Sequence, residues 1–391
     1  MPRAFLLAAV RTPIGKFLGG LADCAAPQLG GLVVAEALRR AGIAPDRVDE
    51  VIMGHVLQAG VGQNPARQAA LQAKLPDTIA AVTINKVCGS GLKAVMSAAQ
   101  AIRAGDAQIV VAGGMESMSR APFLLTGARN GWKFGDHPAL DSMVHDGLTC
   151  PFEHWPMGEA AEYIAKKHDV SRAEQDRFAA RSQKLAVAAW EKGLFGAEVL
   201  PVTTGSGAKA KTVSRDESVR PDTSLEGLAR LSPSFRKDGT VTAGNSSTLS
   251  DGAAALVVAS DEAVAGFEKK PLAEIIAYAT SGTPPKDIFI APVLAIRQVL
   301  EKARLTIRDI DLFEINEAFA AQMLACTKEL GLDESRVNVH GGAIALGHPI
   351  GASGARVLVT LLHALEQRGG RRGVAALCLG GGNAVAMVIE R

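Results

Sequence analysis

The chain has 391 residues, 48% of them hydrophobic and 21% charged, a length of two or three domains and a composition that argues against disorder. Lys and Arg total 42 against 40 Asp and Glu, giving a formal charge of +2, and aromatic residues are only 4%. These values argue against a basic nucleic-acid binder and against an aromatic platform for single strands.

Residues 4–10 are apolar after Arg3 but run straight into Arg11-Thr12-Pro13 without a small-residue cleavage site. They read as a first buried strand rather than a secretory leader. No apolar run reaches the roughly 18 residues of a membrane helix, so no membrane segment is expected. Further Val/Ile/Ala-rich runs at 50–56, 81–85, 109–112, 253–259, 272–277, 374–379 and 385–389 read as strands. They are apolar on both faces, which suits a sheet covered by helices on both sides. Helical patterns fall between them at 28–41, 91–104, 291–303, 317–330 and 352–366. The alternation predicts an α/β fold.

Two stretches echo each other. Cys88-Gly89-Ser90-Gly91 opens a helix that leads to a strand and Gly113-Gly114. Gly351-Ala352-Ser353-Gly354 opens another that leads to a strand and Gly380-Gly381. The intervals are 23 residues from Ser90 to Gly113 and 27 from Ser353 to Gly380. Two similar halves are one reading; chance similarity of Ala/Gly-rich helices is the other. Residues 119–249 differ, with long irregular stretches and amphipathic helices near 158–167 and 173–192, and read as an insertion carrying binding function. The expected division is 1–118 plus 250–270 as a first half, 119–249 as the inserted domain and 271–391 as a second half.

Five cysteines, Cys24, Cys88, Cys150, Cys326 and Cys378, form no Cys-x-x-Cys pair and no zinc-ligand spacing. Free thiols in a reducing cytoplasm are expected. Cys88 stands between a strand and a helix, where the helix macrodipole would lower its pKa and make it a nucleophile; a small buried core cysteine is the alternative. His348, between glycines in Gly347-His348-Pro349, is a candidate base for a thiol, with His340 as competitor. Cys378, before Gly380-Gly381-Gly382, is a second base or a core residue. A metal site of Cys88, His348 and Cys378 lacks a fourth ligand. Asn316 in Glu314-Ile315-Asn316-Glu317-Ala318-Phe319 is either a helix cap or a group that fixes a water or carbonyl oxygen.

With these segments in view, the chain resembles the thiolases, most of all their bacterial acetoacetyl-CoA-forming branch. The likeness covers nearly the whole length. It includes Val10-Arg11-Thr12-Pro13-Ile14-Gly15, Gly113-Gly114-Met115-Glu116-Ser117-Met118-Ser119, Gly239-Thr240-Val241-Thr242-Ala243-Gly244-Asn245-Ser246-Ser247, Asp251-Gly252-Ala253-Ala254 and Cys378-Leu379-Gly380-Gly381-Gly382. It implies an α/β fold of five layers, αβαβα, made of two similar halves with an inserted loop domain. It implies a reversible Claisen condensation of two acetyl-CoA to acetoacetyl-CoA plus CoA through an acetyl-cysteine. Cys88 would be the nucleophile. His348 would activate it and hold an oxyanion, Asn316 would position a water there, and Cys378 would be the acid/base. The backbone of Gly380 would complete an oxyanion hole with that of Cys88. Coenzyme A would contact Met157, Arg220, Leu231, Phe235, Ala243, Ser247 and Phe319. No metal or separate cofactor, a cytoplasmic location, a role in fatty acid metabolism and a homotetramer, a dimer of dimers, are further implications.

Composition adds little to the CoA contacts, because residues 205–240 hold seven Lys/Arg against five Asp/Glu. Two departures from the family pattern stand out. Ile288-Phe289 replaces a common Met-Gly, and the following Ile290-Ala291-Pro292-Val293 is similar to the mitochondrial acetoacetyl-CoA thiolase, which handles 2-methyl-branched substrates. Trp155-Pro156-Met157 replaces a common His-Met. Chain length and branching therefore stay open. A degradative 3-ketoacyl-CoA thiolase and a non-catalytic acyl-CoA-binding homologue are the alternative functions. A 3-ketoacyl-carrier-protein synthase shares the broader fold but fits the Asn316-Glu317-Ala318-Phe319 and terminal glycine blocks less well.

Overall fold

The computed structural model describes residues 2–267 and 269–391; Met1 and Glu268, both within the first expected half, lie outside the described residues. Among these, nine strands build the core: β1 (Ala4–Arg11), β2 (Glu50–Gly54), β3 (Ala80–Ile84), β4 (Ile109–Ser117), β5 (Ser250–Ser260), β6 (Ala273–Gly282), β7 (Leu312–Ile315), β8 (Arg372–Leu379) and β9 (Asn383–Glu390). The helices that matter below are α1 (Ala26–Ala41), α2 (Pro65–Gln72), α3 (Ser90–Ala104), α4 (Met157–Lys167), α5 (Arg172–Glu191), α6 (Ala291–Ala303), α7 (Ala320–Leu330) and α8 (Ser353–Arg368).

The strands run in the order β7-β8-β9-β6-β1-β5-β4-β2-β3. The path is continuous only because β1 and β6 pair at two positions, Phe5 with Glu274 and Leu6 with Ala273. On either side of that joint the arrangement repeats. In the first half β3, β2 and β4 are parallel and β5 and β1 follow antiparallel. In the second, β7 and β8 are parallel, β9 and β6 follow antiparallel, and a parallel bridge from Phe313 to Val337 takes the place of β3. The echo around Ser90 and Ser353 is thus a repeat of topology.

Pleating separates the core into layers. Ala375 and Leu377 of β8 point to one side, toward α3 and α8, together with Val110 and Leu256 of the first half. Val374 and Ala376 point to the other side, toward α6 and α7. Val51, Val111 and Val257 pack outward on α1 and α2. The result is five layers, helices–sheet–helices–sheet–helices. Because α8 lies in the middle layer, every residue from Ser353 to Leu365 is buried, Arg356 and His363 included.

Three elements differ from the sequence reading. Strand β7 is short and carries Glu314, which breaks an otherwise apolar run. The helix expected from 317 starts at Ala320, since Asn316 to Phe319 form the turn before it. Helix α2, capped by the Asn64 side chain with Pro65 at its first position, has a polar, low-contrast pattern. The segment 119–249 is anchored to the first sheet through β1: Arg11 is fully buried and pairs with Glu198 at 2.6 Å and Asp216 at 2.7 Å.

Helices α3 and α8 meet at their N-terminal ends without side chains between them. A Cβ on Gly91 would sit 2.7 Å from the Ala355 nitrogen, and one on Gly354 would press into the Leu92 backbone. Gly354→Ala should therefore destabilise the protein by about 1–3 kcal/mol despite the better helix propensity of alanine, worth about 1 kcal/mol. Thermal unfolding beside the unaltered protein measures this; an unchanged or raised midpoint would contradict the packing.

Candidate active site

The turn between β3 and α3 holds Cys88 in a strained setting. Val87, a β-branched residue, has φ of 48°, a left-handed conformation that such residues avoid. Polar contacts hold it there. The Val87 N–H donates to Asn85 Oδ1 at 3.0 Å, the Lys86 N–H donates to Ser90 Oγ at 2.8 Å, and that hydroxyl donates to the Val87 carbonyl at 2.6 Å. Gly380 packs against Val87 from the second half.

His348 is fixed from both sides. Ser353 Oγ lies 2.9 Å from the Pro349 carbonyl, an acceptor only, so its hydrogen lies between the two oxygens. Its lone pairs then accept from His348 Nδ1, 2.6 Å away. This assigns the proton to Nδ1 and leaves Nε2 as the basic nitrogen. The Asn316 amide nitrogen lies 3.4 Å from Nε2 and 3.5 Å from Nδ1. Glu317 braces the turn before the histidine by accepting from Ser182 Oγ at 2.7 Å, Asn338 Nδ2 at 2.9 Å and the Ile344 N–H at 3.2 Å.

A cavity of about 410 Å³ gathers most of the expected residues. Cys88, His348, Cys378 and Gly380 line it with Met157, Phe235, Ala243, Ser247 and Phe319. The wall is built locally: the Ser247 N–H donates to the Ala318 carbonyl and the Ala320 N–H to the Asn245 carbonyl, while the Phe235 ring lies over Gly158. Asn316 is fully buried behind His348 and does not line the cavity. Arg220 is outside it. Its backbone N–H is held by Gln183 of α5, and it lines a separate cleft with Arg177, Arg181 and Lys184. Leu231 is also outside, packed on Gly244. His340 packs edge-on against Phe195 at 5.9 Å, away from the cavity that His348 lines. Among the described residues no group of three His, Cys, Asp or Glu is arranged to hold a metal ion. A larger open groove of about 640 Å³ runs along α1 and contains Cys24 but none of the candidate catalytic residues.

The electrostatics correct one expectation. Cys88 does not have a lowered pKa. Burial pushes the thiol up to about 12, with the Glu116 charge adding to it, while the backbone N–H groups of Cys88 and Gly380 pull the other way. Helix α3 begins two residues later, at Ser90, and its dipole does not overcome the loss of water. Burial also raises the Cys378 thiol, with Cys88 and Cys326 adding to it. Burial and then the Arg356 charge push His348 down to about 3. The resting site is two neutral thiols and a neutral imidazole, with two backbone N–H groups aimed at the Cys88 sulfur.

Residues 4–262 match the family described as Thiolase, N-terminal domain, and residues 269–391 match Thiolase, C-terminal domain. The chain is a thiolase. It is 52% identical to the acetyl-CoA acetyltransferase of Escherichia coli (strain K12) over 392 residues, covering 100% of both chains. It is 49% identical over 392 residues to a probable acetyl-CoA acyltransferase of Staphylococcus aureus (strain COL), again covering 100% of both. The crystal structure of the Bacillus anthracis acetyl-CoA acetyltransferase superposes with a TM-score of 0.98 at 46% identity, covering 100% of this chain and 99% of that one.

Sequence reading of this thiolase missed two kinds of residue. The apolar lining, including Met118, Leu148, Leu249 and Ile350, looks like any core residue. Ser353, which sets the histidine tautomer, was visible only as part of the echo. Its signal was position: a hydroxyl five residues after His348, on the first turn of a helix.

Because the Cys88 thiol is raised to about 12, the neutral form dominates throughout the neutral range. Iodoacetamide labelling of Cys88, followed by peptide mass spectrometry, should speed up about tenfold per pH unit between pH 7 and 9. A plateau below pH 8 would mean that the thiolate is already favoured.

Proposed function

We infer that this thiolase is an acetyl-CoA C-acetyltransferase. It interconverts two acetyl-CoA with acetoacetyl-CoA plus CoA through an acetyl group on Cys88. The observation that carries the reading is the convergence of Cys88, His348, Cys378 and the Gly380 N–H on one apolar cavity. The resemblance of the whole chain to acetyl-CoA acetyltransferases supports it.

The resting charges suggest the order of proton transfers. His348 Nε2 takes the Cys88 proton as sulfur attacks the thioester carbonyl, so a neutral histidine is the form required. The tetrahedral oxyanion needs donors close to the sulfur, and the N–H groups of Cys88 and Gly380, which point at the Cys88 sulfur in the resting site, would take that role. CoA leaves as a thiolate, while His348 keeps the proton it took from Cys88. For condensation, Cys378 must be a thiolate to remove the α-proton of the second acetyl-CoA, so the departing CoA sulfur takes the Cys378 proton. The resulting enolate attacks the acetyl-Cys88 carbonyl, and the Cys88 thiolate leaves and takes its proton back from His348. In the reverse, cleaving direction the buried neutral Cys378 already holds the proton that the enolate needs. Asn316 supports the oxygen of a thioester from beside His348, through a water that it positions.

Met157, Phe235, Ala243, Ser247 and Phe319 would hold the pantetheine and acyl group. Arg220, in its basic cleft, and Leu231 would meet the nucleotide end of coenzyme A. No metal or further cofactor enters this scheme. No helix among the described residues is long and apolar enough to cross a membrane; a cytoplasmic enzyme of fatty acid metabolism, assembled as a dimer of dimers, is the reading that the family likeness favours.

CoA-dependent cleavage should be fast with acetoacetyl-CoA and weak with six-carbon and ten-carbon 3-ketoacyl-CoA. Turnover that favours the long chains would make the protein a degradative thiolase. Activity on 2-methylacetoacetyl-CoA reports what Phe289, whose ring stands 5.3 Å from that of Phe319, does to the pocket. With labelled acetyl-CoA, Cys88→Ser should take up no label, whereas Cys378→Ala should acetylate and then stall. Label on another residue would remove the assignment of roles.

A further inference from the structure

Behind His348, away from the cavity, lies a charged pair that the scheme above does not use. Arg356 is on the first turn of α8 and Glu314 is in β7; both are almost fully buried. Arg356 Nη1 is 3.7 Å from Glu314 Oε2, too far for a hydrogen bond. Among the described residues, neither oxygen of Glu314 and neither Nε nor Nη1 of Arg356 has a hydrogen-bond partner. Burial pushes the Glu314 carboxyl up to about 8 against the pull of Arg356; taking a guanidinium and a carboxyl out of water is costly, and a poorly hydrogen-bonded pair does not recover that cost. Stability alone does not account for this pair.

The one polar contact of the guanidinium toward the site does. Arg356 Nη2 donates to Asn316 Oδ1 at 3.4 Å. A guanidinium has donors and no acceptor, so it holds the oxygen of the carboxamide and rejects the amide nitrogen. A rotated Asn316 would turn N–H toward N–H at Arg356 and a carbonyl toward His348 Nε2, lone pair against lone pair. With Arg356 in place, the Asn316 amide is presented to the histidine.

We propose that Arg356, seated beside the Glu314 carboxyl, is a positioning residue that fixes the Asn316 carboxamide with its N–H groups toward His348 and the water through which it supports the thioester oxygen. The proposal rests on the acetyltransferase reading. The positive charge of Arg356 also helps to keep His348 unprotonated. The other charges acting on the pair are Arg11 of β1, Arg181 of α5, Glu317 and Glu198.

The test removes the pair without stranding either charge. Glu314→Leu/Arg356→Met replaces it with apolar side chains of similar volume, an exchange often neutral or stabilising. Arg356→Lys keeps the charge beside Glu314 but loses the planar fork. Each is made with Asn316 present and with Asn316→Ala, and acetylation of Cys88 is followed by labelled acetyl-CoA. With Asn316 present, the pair replacement should lower the acetylation rate about a hundredfold, the scale of one lost oxyanion donor, while KM for acetyl-CoA stays within twofold. Arg356→Lys should lower it at least about tenfold. In the Asn316→Ala protein neither change should cost more than about twofold, because the group being positioned is gone.

A folded replacement variant that acetylates at the unaltered rate overturns the proposal. So does a loss equally large without Asn316, which would mean that the pair acts through the scaffold. If the replacement variant does not fold, the same comparison with Arg356→Lys decides. Failure of the unaltered enzyme to acetylate Cys88 would instead count against the acetyltransferase reading.

Discussion

The backbones of α3 and α8 touch where Gly91 and Gly354 leave no side chain between them. That contact is the constraint on which the site depends. Each helix follows a loop that carries chemistry, Cys88 before one and His348 before the other. Bringing the helix starts together brings the loops together. The outer layers, the paired half-sheets and the Arg11 ion pairs hold this crossing in register. Side chains at Gly91 and Gly354 would widen it, and a nucleophile and its base tolerate little displacement.

The second constraint is dryness. Burial of Cys378 and His348, with partial burial of Cys88, strips the thiols and the imidazole of charge. It pushes Cys88 up and His348 down, so that the proton must move within the step of attack. In such a medium a few fixed dipoles are effective, because no water competes with them. Two backbone N–H groups, one hydroxyl and one carboxamide supply them. Their orientation is over-determined: the turn at Val87 by Asn85 and Ser90, the imidazole by Ser353, the turn before it by Glu317.

The alternation of strands and helices was legible because β4, β5 and α8 are long and apolar. The repeat was legible because both helix starts need a small residue at the same place. Cys88 and His348 stood out because a sulfur or imidazole side chain beside glycine is out of place in a core, Cys378 because it ends an apolar run just before Gly380-Gly381-Gly382, and Asn316 because a polar Asn-Glu pair follows a strand. Other features were not legible, each for a physical reason. The lowered pKa expected at Cys88 failed because sequence shows a helix start but not how much water reaches it. Arg220 could be aligned with a binding stretch, but its direction depends on Gln183, which is distant in sequence. Glu314 and Arg356 are 42 residues apart in sequence, and in one dimension each reads as an ordinary surface charge.

The joint between the half-sheets, two residue pairs wide, bears on how the chain comes into being. A ribosome releases β1 to β5 and α3 well before α8, β8 and β9. The first sheet can close on α1 and α2 at once, but α3 then has one face covered and the other open to water. That open face closes only when the last forty or so residues emerge, since α8, which covers it, begins at Ser353. A nascent chain of this protein therefore exposes an apolar helix for most of its synthesis. The interval between making Cys88 and making Cys378 is also the interval in which the chain most needs protection from its neighbours.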